Sequence, residues 1–259
     1  MTVRIEQQMS GKALVSHRIG RRSLVDGVVE HLRSEILRGA LRAGEALPTE
    51  QDLCIALGVS RTAVREALNR LATERLVSFR HSGAKRVLDY RRSAGLELLA
   101  ALLVDGDGRV DPAVVRSVME MRSAVAPDVA RLAAERRDAA TLQYLREVLE
   151  AMRRDAGDLS ALQDHVGDFW DHLVEASGNV AYRLAYNSLR ASYDASKHLL
   201  TRVLAGETSD VAVYSALCEA VERRDAPTAE SLARSLVRRG EESVRAALSV
   251  LDFEKEARR

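Results

Sequence analysis

The sequence predicts a mainly α protein in two parts, an N-terminal winged helix-turn-helix followed by an all-α helical bundle. Three observations carry this. With 46% hydrophobic residues, only 4% aromatics and four prolines in 259 residues, the composition is that of an Ala-, Leu- and Arg-rich helical chain. Apolar residues recur at helical spacing through most of the sequence, and no strand pattern or internal repeat is found from Leu96 onward. Before that point a glycine-bearing turn joins two helix signals, and two short strand-like runs follow them.

Residues 1–22 hold Arg4, Lys12, Arg18, Arg21 and Arg22 without a sustained apolar period, and read as a flexible basic arm. Residues 23–90 make the first folded unit. Leu24, Val25, Val28, Val29, Leu32, Ile36 and Leu37 keep helical spacing, and Gly39 is placed to cap that helix. Pro48 forces an extended entry, Thr49 and Asp52 resemble a capping box, and a short helix over Leu53–Leu57 closes at Gly58. Ser60 then caps the next helix, whose buried face is Val64, Ala67, Leu68 and Leu71. Val77–Arg80 and Arg86–Leu88 pair as short strands around His81-Ser82-Gly83-Ala84-Lys85, a wing. Residues 89–95 lose the apolar rhythm and are expected to be a linker, so that 91–259 form the second unit. Its helices are punctuated at Asp105–Asp111, Gly157, Ser177-Gly178-Asn179, Gly206 and Asp225-Ala226-Pro227.

Net charge is only +1, but it is unevenly placed. Residues 1–90 carry 15 Lys and Arg against 10 Asp and Glu, while residues 91–259 carry 24 against 28. Between Arg61 and Arg86 stand seven bases and two acids, a local excess that suits a polyanionic partner. Cys54 and Cys218 lie far apart with no metal-spaced neighbours, which points away from disulfides and zinc and towards a reducing cytoplasm. The longest wholly apolar run, Leu98–Val104, is far short of the ~20 residues that a membrane-crossing helix needs. No Ser/His/Asp or Cys/His set and no phosphate-binding glycine loop is present, so an enzyme is not expected.

The residues that follow a helix-turn-helix cap are the ones that reach base edges in a major groove. Here they are Arg61, Thr62, Ala63, Val64 and Arg65. An arginine forks onto guanine, a threonine offers a hydroxyl or methyl, and an alanine lies against a thymine methyl. Arg61 and Arg65 are four apart and share a face away from Val64 and Leu68; the competing reading is surface pairing of Arg65 with Glu66 or Glu74. Ser60 and the helix N-terminus are suited to a phosphate, as are Lys85 and Arg86 in the wing.

Leu47-Pro48-Thr49-Glu50-Gln51-Asp52-Leu53 with Gly58-Val59-Ser60-Arg61-Thr62-Ala63-Val64-Arg65-Glu66-Ala67-Leu68 resembles the DNA-binding domain of the GntR family. The resemblance implies a homodimer on a pseudo-palindromic operator in double-stranded DNA. It implies contacts from Ser60, Arg61, Thr62, Arg65 and the wing, where His81, Gly83 and Lys85 are the candidates. Gln51 stands where many relatives have Arg, so its contact would be made by an amide.

Met119-Glu120-Met121-Arg122, Ala126–Arg136 and Leu173–Asn179 resemble the FCD effector domain of the FadR subfamily. Many such domains hold a divalent metal through one Asp and three His. Alignment puts Val166, Trp170, Tyr214 and Leu236 at those four positions, none a normal metal ligand, so no metal or other cofactor is expected. Asp168 and His172 have Asp-Xaa-Xaa-Xaa-His spacing, with His165 one turn earlier. At 100° per residue they fall on the face opposite Leu162, Val166, Phe169, Trp170 and Leu173. The similarity therefore implies an apolar effector pocket of Val166, Trp170, Tyr214 and Leu236, with Arg122 either on an effector anion or in an interhelical salt bridge.

The resulting expectation is a cytoplasmic, ligand-responsive transcription regulator of lipid-related genes, answering to an acyl-type effector such as a fatty acid or fatty acyl-CoA. Two alternatives remain at this stage. One is a metal-dependent organic-acid sensor using His165, Asp168 and His172. The other is a helical protein-interaction module without specific DNA binding.

Overall fold

The computed structural model describes residues 24–79, 85–104 and 108–257. The basic arm and the wing-tip residues His81 and Gly83 lie outside them. The first unit is built from α1 (Leu24–Leu37), α2 (Glu50–Leu57), α3 (Arg61–Thr73), β1 (Val77–Ser78) and β2 (Arg86–Val87). The α2–α3 turn is made by local chemistry. The Thr49 side chain accepts from the Asp52 backbone N–H while Asp52 bonds back to Thr49 N–H, so the helix starts at Glu50, a turn earlier than expected. Gly58 ends it at φ 65°, the left-handed region that favours glycine, and Ser60 caps α3 through the Ala63 N–H. Val64, Ala67, Leu68 and Leu71 are fully buried against Val28, Val29 and Leu32 of α1. Among the described residues the antiparallel β1–β2 pair joins Val77 with Val87 and Ser78 with Arg86, and Ala46 bridges to Arg86 on the other side.

The expected linker is not irregular. Asp89 caps a helical turn, α4 (Tyr90–Ser93), and the Ser93 hydroxyl donates to the carbonyls of Arg75 and Asp89. A 3-10 turn (Leu96–Leu98) runs into α5 (Leu99–Leu103). This strap has two packed faces. Leu98, Ala101 and Leu102 join the core of the first unit, while Leu99, Leu103 and Val104 join a cluster in the bundle. The apolar run that is too short to cross a membrane is thus a joint between two cores.

The bundle contains α6 (Pro112–Arg136), α7 (Ala139–Arg154), α8 (Leu159–Ala176), α9 (Val180–Val203), α10 (Ala205–Thr208), α11 (Val211–Glu222) and α12 (Ala226–Ala257). Asp111, Asp138, Asp158, Asn179 and Asp210 each cap the helix that follows with a side-chain oxygen, which explains where five of these helices begin. The α6–α7 break at Arg137–Asp138 has neither glycine nor proline and was not foreseen; Asp138 accepts from Thr141 N–H and Oγ1 and starts the new helix. Gly206, expected as punctuation, lies inside α10, and the chain turns at Leu204 just before it. The main core is formed by α6, α7, α8, α11 and α12 around Phe169, Leu173, Tyr214, Leu217 and Leu236. No described helix is long and apolar enough to cross a membrane.

Leu98 tests the joint. Replacing it by Ala should lower unfolding stability by about 2–5 kcal/mol, as deletion of a buried leucine side chain does, measured by urea denaturation. A change below about 0.5 kcal/mol, the range of ordinary surface substitutions, would show that the strap is not anchored there.

Candidate nucleic-acid interface and ligand cavity

On α3 the inward side is Ala63, Val64, Ala67, Leu68 and Leu71, which leaves Arg61, Thr62, Arg65 and Asn69 exposed as one outer strip. Arg61 is 80% exposed. Ala63 is buried, so the predicted contact with a thymine methyl is not available to it. The acids that could have neutralised Arg65 are engaged elsewhere: Glu66 accepts from Arg70 at 2.8 Å, and Glu74 accepts from Arg33 Nε at 2.9 Å. Among the described residues Arg65 has no hydrogen-bond or ion-pair partner. Gln51 is exposed on α2, and Arg86 donates to the Gly44 carbonyl at 2.7 Å, inside the protein's own fold.

Lys85 is not free. Its ammonium is ion-paired with Glu50, which also accepts from Arg61 Nε at 3.4 Å. The Lys85 hydrogen bond holds the Glu50 carboxyl below its ordinary range; slight burial opposes this, and the charges of Lys85 and Arg61 reinforce it. Glu50 therefore ties the base of the wing to the first residue of the recognition helix. Sequence reading missed both Glu50 and Asn69. Residues 50 and 85 share no local spacing, whereas Asn69, one turn after Arg65, was legible from helical period alone.

In the bundle, Val166 and Trp170 of α8 line a cavity of about 100 Å³ together with Arg122 of α6, Tyr186 and Tyr193 of α9 and Glu207 of α10. Tyr214 and Leu236 do not line it. Both are fully buried in the main core, where the Tyr214 ring meets Phe169 edge-on at 5.2 Å. The indole N–H of Trp170 is buried with no hydrogen-bond partner among the described residues. Arg122 forms the interhelical salt bridge: it donates from Nη1 to Glu207 Oε2 at 2.9 Å and from Nη2 to Oε1, with Glu207 only 1% exposed. Glu207, like Tyr186 and Tyr193, is a cavity residue that sequence reading did not find. The pair fits because α12 carries glycine at 240. A Cβ there would collide with Glu207 Oε2 and lie 3.0 Å from Arg122 Nη1.

The other face of α8 is occupied differently. His165 bonds Asp155 at 2.8 Å, His172 stacks on Tyr144 at 4.8 Å, and Asp168 accepts from Arg190 at 3.3 Å. None of the three lines the cavity, and no group of three or more metal-binding side chains occurs among the described residues.

Comparison with known proteins bears on both halves. The family model described as bacterial regulatory proteins of the gntR family matches residues 24–87, and that of the FCD domain matches residues 117–239. The HTH-type transcriptional regulator Mce2R of Mycobacterium tuberculosis is 39% identical over 230 residues, spanning 89% of this chain and 95% of that protein. A fatty acid metabolism regulator protein of Serratia proteamaculans is 27% identical over 164 residues, 63% of this chain and 66% of that one. Among solved structures, Lar, a protein that controls expression of the Listeria monocytogenes agr system, aligns with a TM-score of 0.55 at 17% identity. It covers 88% of this chain and 99% of its own, a likeness of fold.

Two substitutions probe these sites. Glu50→Gln should release Lys85 and Arg61 to phosphates and steepen the salt dependence of binding to a random duplex by about 1 in log–log slope, read by fluorescence anisotropy. An unchanged slope would show that neither cation was restrained. Gly240→Ala should push Glu207 off Arg122 and cost up to about 3–5 kcal/mol in urea denaturation, because a buried charge loses its partner. Wild-type stability in that variant would contradict the close approach.

Proposed function

As a member of the GntR family with an FCD domain, this chain is a transcription regulator, and we propose that it works as a cytoplasmic homodimer of the FadR subfamily. In this reading each protomer sets α3 into the major groove of one half of a pseudo-palindromic operator. Arg61, Thr62 and Arg65 reach base edges. Ser60, Gln51 and the wing residues His81, Gly83 and Lys85 hold the backbone. The observation that carries it is the outer strip of α3: two arginines and a threonine at the N-terminal turn of a helix whose other side is locked into the core, with Arg65 unpaired among the described residues.

We further propose an acyl-type effector, a fatty acid or its CoA thioester, and control of lipid-related genes. Support comes from the cavity, where Val166 and Trp170 stand at the positions of two expected metal ligands and leave an apolar wall suited to burial, not chelation. The distant relatives named fatty acid metabolism regulators point the same way. Arg122 enters this reading neutralised by Glu207, so an anionic head would have to share or displace that carboxylate. An effector wedged between α6, α8 and α9 changes the distance between the two recognition helices of a dimer. Because both half-sites must engage together, a small change releases the operator.

An operator recovered by in vitro selection with the full chain provides the test of DNA reading. Arg61→Ala and Arg65→Ala should each weaken its binding by about 1–3 kcal/mol while leaving random-duplex affinity much less affected. Equal losses on both duplexes would reduce the arginines to phosphate contacts. For the effector, mass spectrometry of ligand extracted from purified protein should find an acyl compound; a retained metal carboxylate would overturn the acyl reading.

A further inference from the structure

A second cavity, of about 180 Å³, lies between α5, α6, α9 and α12, and Tyr193 lines both it and the first. The two differ in chemistry. Charged side chains, among them Arg122, Arg190, Lys197 and Glu207, line the first, whereas among the described residues none lines the second. Its walls are aliphatic apart from hydroxyls on α9. Ser192 donates to the Ser188 carbonyl at 2.9 Å, but Ser196 Oγ and Tyr193 Oη are buried with no hydrogen-bond partner among the described residues. Ser196 is 5% exposed. Apolar cavities of roughly 150 Å³ stay dry and accept benzene-sized molecules, so this chamber has room for an apolar occupant. Two unsatisfied hydroxyls in such a place carry a desolvation cost that an oxygen on that occupant would remove.

The chamber also touches the joint between the two units. Leu103 and Val104 form part of its wall, and the opposite face of the same strap carries Leu98, Ala101 and Leu102 into the core of the DNA-reading unit. Tyr193 is the residue shared by the two linings, and the Arg122 guanidinium of the first cavity lies over its ring, 6.0 Å from the centroid.

We propose that the second cavity is the tail compartment of the effector site and selects an acid whose chain bears a hydroxyl or keto oxygen, bonded by Ser196 and Tyr193. The head lies in the charged first cavity, the chain passes Tyr193, and its far end presses on the α5 strap. This rests on the acyl reading above and adds to it a ligand class and a route to the DNA-reading unit.

The sole tryptophan, Trp170, lines the first cavity and reports binding by fluorescence. The full chain is titrated with decanoic acid and with hydroxy- and keto-decanoic acids bearing the oxygen at successive carbons, while operator release is followed by anisotropy. At least one oxygenated acid should bind, and release the operator, at about tenfold lower concentration or less than decanoic acid, since a site built for a ligand hydroxyl rejects the analogue without it. Ser196→Ala and Tyr193→Phe should shrink that advantage. Each deletes only an unpaired hydroxyl, so the melting temperature should hold or rise. Equal binding of all the acids, an advantage that survives in both variants, or a clear fall in melting temperature would each overturn the proposal while leaving the acyl reading intact. If neither decanoic acid nor any derivative moves Trp170 fluorescence, the acyl reading falls and this proposal with it.

Discussion

Leu98 and Leu103 belong to one short helical strap and are buried in two different hydrophobic cores. The constraint is geometric. A continuous helical segment is stiff over a single turn, so side chains packed on its two faces cannot move independently, and whatever displaces one face is felt at the other. Asp89, which caps α4, and the Ser93 hydroxyl on the Arg75 carbonyl fasten the start of this segment to the first unit. The connection between DNA-reading unit and bundle is therefore a packed element, not a free tether.

Both units handle their key cations in the same way. Glu50 holds Lys85 and Arg61, and Glu207 holds Arg122, so neither site presents its full positive charge. The environments separate their consequences. The Glu50 cluster lies near the surface, where water screens the charges and a phosphate can compete for the cations at little cost. The Arg122–Glu207 pair is closed in by α6, α10 and α12, and removing one member would strand the other in a poor dielectric. The first gives up its carboxylate at little cost, and the second only to a group that replaces the lost charge.

Helix α8 shows how a register decides chemistry. Its Val166 and Trp170 face the cavity, while His165, Asp168 and His172, types that would suit a metal, point to Asp155, Arg190 and Tyr144 instead. Two residues along a helix is a rotation of about 200°, enough to carry a spacing match from the pocket wall to the opposite face.

What the sequence determined by itself was everything set by neighbours along the chain. The Thr49–Asp52 box, the Gly58 turn, the Ser60 cap and the inner and outer faces of α3 and α8 follow from hydrogen bonds and periods spanning a few residues, and they were readable in order. The order within the linker was not legible, because it comes from packing against the first unit and not from an apolar rhythm of its own. Tyr214 and Leu236 were assigned to the pocket by alignment, yet their helices turn them into the main core. Glu50 with Lys85, Arg122 with Glu207, and the glycine at 240 that makes room for the pair are decided only in the tertiary structure. Each joins residues far apart in the chain, whose approach depends on how whole helices pack, and no local spacing records that.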